Sequence, residues 1–299
     1  MQSQISIFAI KHSIMSMRLK AIILLVIGTM FWGTSFVFIK EAVSSISIYS
    51  FIGLRFLIAG LKLAMIFPKR ILRIGKSTLK SGLVLGTILF LSVWTQTYGI
   101  QFTTASKAAF ITGLSVVFVP LFLALIKWKF PGLKIIIASI VATCGLGLLT
   151  LSESVSLNVG DIWVLLCAVF FAIYIIQVSV QAKKYDAIQL TFVQLILIGV
   201  LGLIISIAQS DFSIPESGIV WFDILFTALF CTTFMFTIQN VYQKYVSEVT
   251  ASLIYAFEPL FAAITAYFYL AEILGMKVWI GGLLIFLAML LVEIRFKKS

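Results

Sequence analysis

A single histidine, His12, and three cysteines, Cys144, Cys167 and Cys231, are all that 299 residues offer toward a metal site or a disulfide framework. The cysteines stand singly inside apolar runs, without a CxxC or a histidine partner, so they are expected to be packing residues and no metal or cofactor is expected. HExxH, GxSxG and paired aspartates within an apolar run are also absent, which argues against an intramembrane enzyme. Charge is scarce as well: 11% of residues are charged, where soluble domains have about 25%. With 62% hydrophobic residues and a mean hydropathy of +1.15, this is the composition of a polytopic membrane protein.

The few charges are unequal in sign, and the formal net charge is +11. A nucleic-acid partner is not expected, because the cations sit in short connections between apolar runs rather than on an amphipathic or aromatic-interleaved patch. They read instead as an orientation signal.

Long apolar runs are what the sequence has in plenty. Windows the length of a bilayer crossing predict spans at 20–39, 48–67, 81–100, 107–126 and 133–151, then at 160–180, 188–208, 220–240, 250–270 and 275–293. The runs are continuous rather than alternating, so each is a helix that satisfies its own backbone, not a barrel strand. Residues 1–19 form a leader that holds His12, read as a solvated residue. The run after it, "AIILLVIGTMFWGTSFVFI", shows no small-residue cleavage site and is an uncleaved first span. With the N-terminus cytoplasmic, 17 of the 22 Lys and Arg residues fall on cytoplasmic segments, three outside and two, Arg55 and Lys62, within spans. The positive-inside rule therefore places both termini in the cytoplasm of a cytoplasmic (inner) membrane protein.

Two sets of five spans, residues 20–151 and 160–295, enter the membrane from opposite sides because each set is odd in number. The expected fold is an all-α membrane protein of ten transmembrane helices, arranged as two inverted-topology five-helix repeats. "TQTYGIQFTTASKAAFI" lies on "IQNVYQKYVSEVTASLI", pairing Gln96 with Gln239, and "PLFLA" from Pro120 lies on "PLFAA" from Pro259. The offset falls from 143 to 139 between these matches.

"MFWGTSFVFIKEAV", "FIGLRFLIAG", "TTASKAAFITGLSVVFVPLF", "VGDIWVLL" and "YAFEPLFAAI", in this order and spacing, resemble the drug/metabolite transporter superfamily, and within it the EamA family with its two EamA repeats. The resemblance covers residues 20 to 294. It implies a permease that works by alternating access, with a substrate cavity between the repeats lined by helices one, three, four, six, eight and nine. One departure is the basic "KWKFPGLK" after span four, where many relatives carry an acid, as in the "LAEIL" around Glu272 after span nine.

An ionisable group within a span is costly and is a functional candidate by default. Glu258 is such a group, with three roles open: a protonated structural group, a substrate contact, or a site of proton coupling. Pro259 removes a helical hydrogen bond and frees the carbonyl of Tyr255; Pro120 does the same to Val116, so kinks are expected at both. Arg55 either meets the cavity or snorkels, and Lys62 is expected to snorkel. Trp32, Trp94, Gln96, Tyr98, Gln239 and Asn240 are candidates to hold a polar or zwitterionic solute, against a reading in which the polar groups only join helices and Trp32 only packs. Gly33 permits close helix approach, Lys107 is expected at a solvated helix end, and Asp161 is read as an N-cap.

The resulting expectation is a permease for small polar metabolites such as amino acids, acting as an exporter. Its partners are a small-molecule substrate and the lipid bilayer, with proton coupling and the choice between monomer and homodimer left open. A flippase for a lipid-linked carrier is the alternative within the superfamily. A channel would show a re-entrant filter or rings of like charge, and neither is present. The first helix has no acid of the kind that small multidrug exporters use, which disfavours cationic-drug/proton antiport.

Overall fold

The computed structural model describes residues 2–150, 158–270 and 275–293, and among them there are helices and turns but no strand. The first half holds α1 (Gln2–Ser45), α2 (Ile48–Ile66), α3 (Pro68–Ile71), α4 (Lys76–Ile100), α5 (Ala105–Gly113), α6 (Ser115–Lys127) and α7 (Leu133–Thr150). The second holds α8 (Val159–Gln181), α9 (Ala187–Ala208), α10 (Gly218–Phe226), α11 (Met235–Tyr242), α12 (Glu248–Tyr255), α13 (Glu258–Leu270) and α14 (Met276–Glu293). Short polar residues start many of them: Ser47, Thr104, Asp186, Ser217 and Ser247 each accept a backbone N–H of the first turn that has no helical partner. Glu272, Arg295, Lys297 and Lys298 lie outside the described residues.

Among the described residues, seven helical stretches are long and apolar enough to cross a membrane: Ser16–Ser45, Ile48–Ile66, Lys76–Ile100, Lys107–Lys127, Val159–Gln181, Ala187–Ala208 and Gly218–Tyr245. Two more apolar helices, Leu133–Leu148 and Met276–Val292, are shorter. The ninth expected span, 250–270, is not one helix but two, because the chain leaves helical geometry at Ala256 and Phe257 between α12 and α13. The fourth span breaks in the same way at Leu114, between α5 and α6. Each break precedes a proline, Pro120 inside α6 and Pro259 second in α13. The Val116 carbonyl, which Pro120 has no N–H to meet, accepts instead from Ser139 Oγ on α7 at 3.4 Å.

A third irregularity is a π-helical stretch, Thr227–Phe234, between α10 and α11. Its widened turns free carbonyls and place side chains out of α-helical register, a feature that recurs beside functional sites.

Packing is closest between α2 and α9. Glycines make this possible: Gly60 faces Ile196, Gly199 faces Leu57, and Gly53 lies against Gly202 and Leu203. Residue numbers fall on one helix as they rise on the other, so the pair is antiparallel. Gly60 and Gly199 are 139 apart in sequence, and so are Leu57 and Ile196; exchanging each residue for its counterpart turns one contact into the other. Polar contacts close both ends of the pair. Arg70 meets Asp186 at 3.5 Å at the lysine-rich end, and Ser47 donates to Asp211 at 2.8 Å at the opposite end. Asp186 is the counterpart of Ser47.

The two equivalent glycines are predicted to respond differently to alanine. A Cβ at Gly199 would stand 2.6 Å from the backbone nitrogen of Leu57, whereas one at Gly60 would stand 2.7 Å from the Cδ1 tip of Ile196. A side-chain tip can rotate away, but a backbone cannot. Gly199→Ala is expected to destabilise by about 1 to 3 kcal/mol and Gly60→Ala by less than about 1 kcal/mol. Thermal unfolding in detergent measures both, and equal losses would refute the assignment of backbone contact to Gly199 alone.

Candidate functional site

Helices α1, α2, α4, α5, α8 and α11 and the start of α13 converge on one cavity of about 40 Å³ between the two halves. From the first half it receives Trp32 and Ser35 of α1, Arg55 of α2, Ser92 and Gln96 of α4, and Thr112 of α5. From the second half come Cys167 and Phe171 of α8, Phe236 of α11 and Glu258 of α13. The volume is that of about one or two waters, at roughly 30 Å³ each in the liquid. A cavity of this size admits water and nothing much larger unless the surrounding helices move apart.

Trp32 is fixed by the π stretch, where its indole Nε1 donates to the Cys231 carbonyl at 2.8 Å. Its ring meets Phe171, Phe236 and Tyr255 edge-on, at 5.4, 5.3 and 5.3 Å between centroids. Trp32 and Phe171 are 139 residues apart, the offset that also relates Gly60 to Gly199. Gly33 lets α1 reach the break between α12 and α13, since a Cβ there would lie 2.4 Å from the Glu258 carbonyl oxygen.

Arg55 is buried. Its Nε donates to Thr232 Oγ1 of the π stretch at 2.7 Å, and its guanidinium lies over Phe56 and Phe51 at 5.3 and 5.8 Å. Lys62, two turns along the same helix, is exposed. Glu258 is 5% exposed, and its carboxyl makes no hydrogen bond among the described residues. No ion pair joins Arg55 and Glu258 in this form, though both face the same cavity. Two buried ionisable groups so placed retain unused hydrogen-bonding capacity, which is expensive in a low-dielectric interior. Beside them Gln96 donates to Thr112 Oγ1 at 3.2 Å.

Of the candidates read from the sequence, Trp32, Gln96, Arg55 and Glu258 meet at the cavity, while the others lie around it. Gln239 and Asn240 belong to a buried network on the lysine-rich side, in which Gln239 donates to Gln243 at 2.9 Å and Asn240 accepts from Gln194 at 3.3 Å. Tyr174 donates to Gln194 and Tyr255 to Gln243, so the second half is stitched internally below the cavity. Trp94 and Tyr98 flank Trp163 at 5.5 and 5.0 Å, and the Trp94 indole donates to the Tyr49 hydroxyl.

The opposite side is closed by ions. Asp161 accepts from Thr103 at 2.7 Å and pairs with Lys107 at 2.6 Å, while Lys40 donates to the Thr103 carbonyl. Two expectations change here. Lys107 is not a solvated helix end but the half-buried partner of Asp161, and the N-cap of α8 is Asn158, with Asp161 completing a capping box from the third position. The sequence reading also passed over Asp223, which is 1% exposed with an Oδ2 that has no partner among the described residues. Its place four residues into the expected span 220–240 was the signal. The π stretch gave no such signal. Among the described residues no three His, Cys, Asp or Glu side chains group to hold a metal.

Comparison with known proteins agrees with this layout. The model of the EamA-like transporter family matches residues 19–151 and again 158–294. An "Uncharacterized transporter" of Archaeoglobus fulgidus is 32% identical over 280 residues, covering 93% of this chain and 87% of the relative. The "Uncharacterized transporter YoaV" of Bacillus subtilis is 27% identical, covering 86% and 91% respectively. A crystal structure of a protein 14% identical superposes with a TM-score of 0.75 over 91% of this chain and 96% of its own, a likeness of fold.

Proposed function

Since the chain belongs to the EamA-like transporter family, we propose that it is a secondary transporter that exports small polar metabolites, amino acids among them, across the cytoplasmic membrane by alternating access. The observation that carries this reading is a guanidinium, Arg55, and a carboxyl, Glu258, that come from opposite halves and face one small cavity. A solute bearing both an anionic and a cationic group satisfies both at once. It thereby draws the halves together around itself, which links occupancy to conformation.

The rest of the reading follows from the architecture. Ten crossings in two inverted repeats are supported by the counterpart contacts between α2 and α9, which interchange under the same 139-residue offset that aligns Pro120 with Pro259. The lysine-rich end is the cytoplasmic one by the positive-inside rule. In this orientation Lys107 and Asp161 close the outer side, and the Gln243 network underlies the cavity toward the cytoplasm.

The test is flux in proteoliposomes across a panel of amino acids, nucleosides and S-adenosylmethionine, with and without a pH gradient. Glu258→Gln keeps the shape and removes the charge, and it is expected to lower zwitterion flux about 10- to 100-fold, the worth of one charge-assisted hydrogen bond. Wild-type rates in that variant, or a panel in which no amino acid moves, would overturn the reading. A wild type that responds to the gradient and a Gln variant that ignores it would assign proton exchange to this side chain; a variant that still responds removes it from that role.

A further inference from the structure

On the lipid-facing surface, α6 and α7 diverge below Pro120 to leave a groove of about 490 Å³, walled by Val117, Leu121, Ile136 and Ile140 and ending at Pro131 in the turn between the two helices. Its hydroxyls are spent inside the protein: Ser139 bonds the Val116 carbonyl, and Thr143 bonds the Ser139 carbonyl at 2.8 Å. The groove therefore offers an occupant almost nothing but hydrocarbon.

The turn at its mouth is different. Lys127 and Lys129 are exposed and make no ion pair among the described residues, and no acidic residue occurs in the sequence between Glu41 and Glu153. Trp128 stands between them, 95% exposed, with Phe130 next at 93%. Trp128 ends α6 at φ 48, a left-handed position normally given to glycine because a side chain there is strained. The strain places an indole where it touches no protein core. Aromatic rings in that setting sit at the level of lipid headgroups.

From this juxtaposition of apolar groove, aromatic collar and unpaired lysines, we propose that the α6–α7 groove is a binding site for an anionic phospholipid, with an acyl chain along α6 and α7 and the phosphate on Lys127 and Lys129. Charge decides for this occupant over a second copy of the chain. A two-fold partner inserted the same way round would bring its own lysine-bearing turn against this one, whereas a phosphodiester neutralises it. The proposal does not depend on what the cavity transports.

Native mass spectrometry of the purified full chain in detergent, titrated with phosphatidylglycerol or phosphatidylcholine of identical acyl chains, reads the site. Wild-type protein is expected to retain one phosphatidylglycerol roughly 30-fold better than phosphatidylcholine, the preference that two lysines beside an anionic headgroup confer. The K127Q/K129Q variant is expected to lose that preference for one lipid, while K69Q/R73Q, on a different basic turn, keeps it. Val117→Trp with Ile140→Trp fills the groove and is expected to lose the retained lipid of either headgroup. A thermal melt of each variant confirms that it is folded. Equal retention of the two lipids by wild type, retention of phosphatidylglycerol unchanged by K127Q/K129Q, or a dimer that Ile140→Trp dissociates would each overturn the proposal.

Discussion

Replacing Arg55 with methionine is expected to cut zwitterion flux at least about 100-fold while leaving the protein as stable as before, or more so. The two outcomes have separate causes. The guanidinium is buried with one fixed partner, Thr232 Oγ1, and two aromatic faces, so its desolvation is incompletely repaid in this structure. Methionine fills much of the same volume without a charge to desolvate, and such exchanges are commonly neutral or stabilising. Transport suffers because the solute's anionic group loses a charge-assisted, two-pronged donor, and a 100-fold loss corresponds to about 2.7 kcal/mol. Arg55→Lys keeps the charge but cannot hold Thr232 and a carboxylate together in one planar fork, so an intermediate loss of about 10-fold is expected. Flux in proteoliposomes of matched protein content, read beside a thermal melt, checks all three proteins. A methionine variant with wild-type flux would remove Arg55 from the substrate path.

Gly33→Ala is expected to be the most damaging single-methyl change in the chain. Its Cβ would stand 2.4 Å from the carbonyl oxygen of Glu258 and 2.8 Å from the backbone nitrogen of Ala262. No rotamer relieves a clash with backbone, so α1 must withdraw from α13. That displacement moves Trp32, next to Gly33 in sequence, and Glu258, whose own carbonyl is the contact. A loss of about 3 kcal/mol or more, at the upper end of overpacking costs, is expected together with loss of flux. Thermal unfolding and flux of the reconstituted variant measure it. A variant with an unchanged melting temperature would show that the approach of α1 to α13 is looser than 2.4 Å implies.

Much of the fold can be read from the sequence because a bilayer leaves the chain few choices: continuous apolar runs, Ser, Thr or Asp at helix starts, and cations in the connections. Membership of the family was visible in "FWGTSF" and "FEPLF". The spread of the site residues was harder to see. Gln96 and Gln239 align when the two halves of the sequence are laid together, yet one lines the cavity and the other bonds Gln243, because sequence similarity does not record which face of a helix each half turns inward. The ion pair of Lys107 with Asp161 joins residues 54 apart, and only the meeting of α4 and α5 with α8 brings them together. The π stretch depends on an extra residue accommodated in a helical turn, which leaves no compositional trace in "TALFCTTF".

The contact between Trp32 and Phe171 carries one more implication. If inward and outward openings arise by the two halves trading conformations, a contact between any residue and another's counterpart becomes a different contact, but one between a residue and its own counterpart becomes itself. Under that exchange the indole and the phenyl ring would meet in both end states, and an opening for cargo would form around that fulcrum rather than through it.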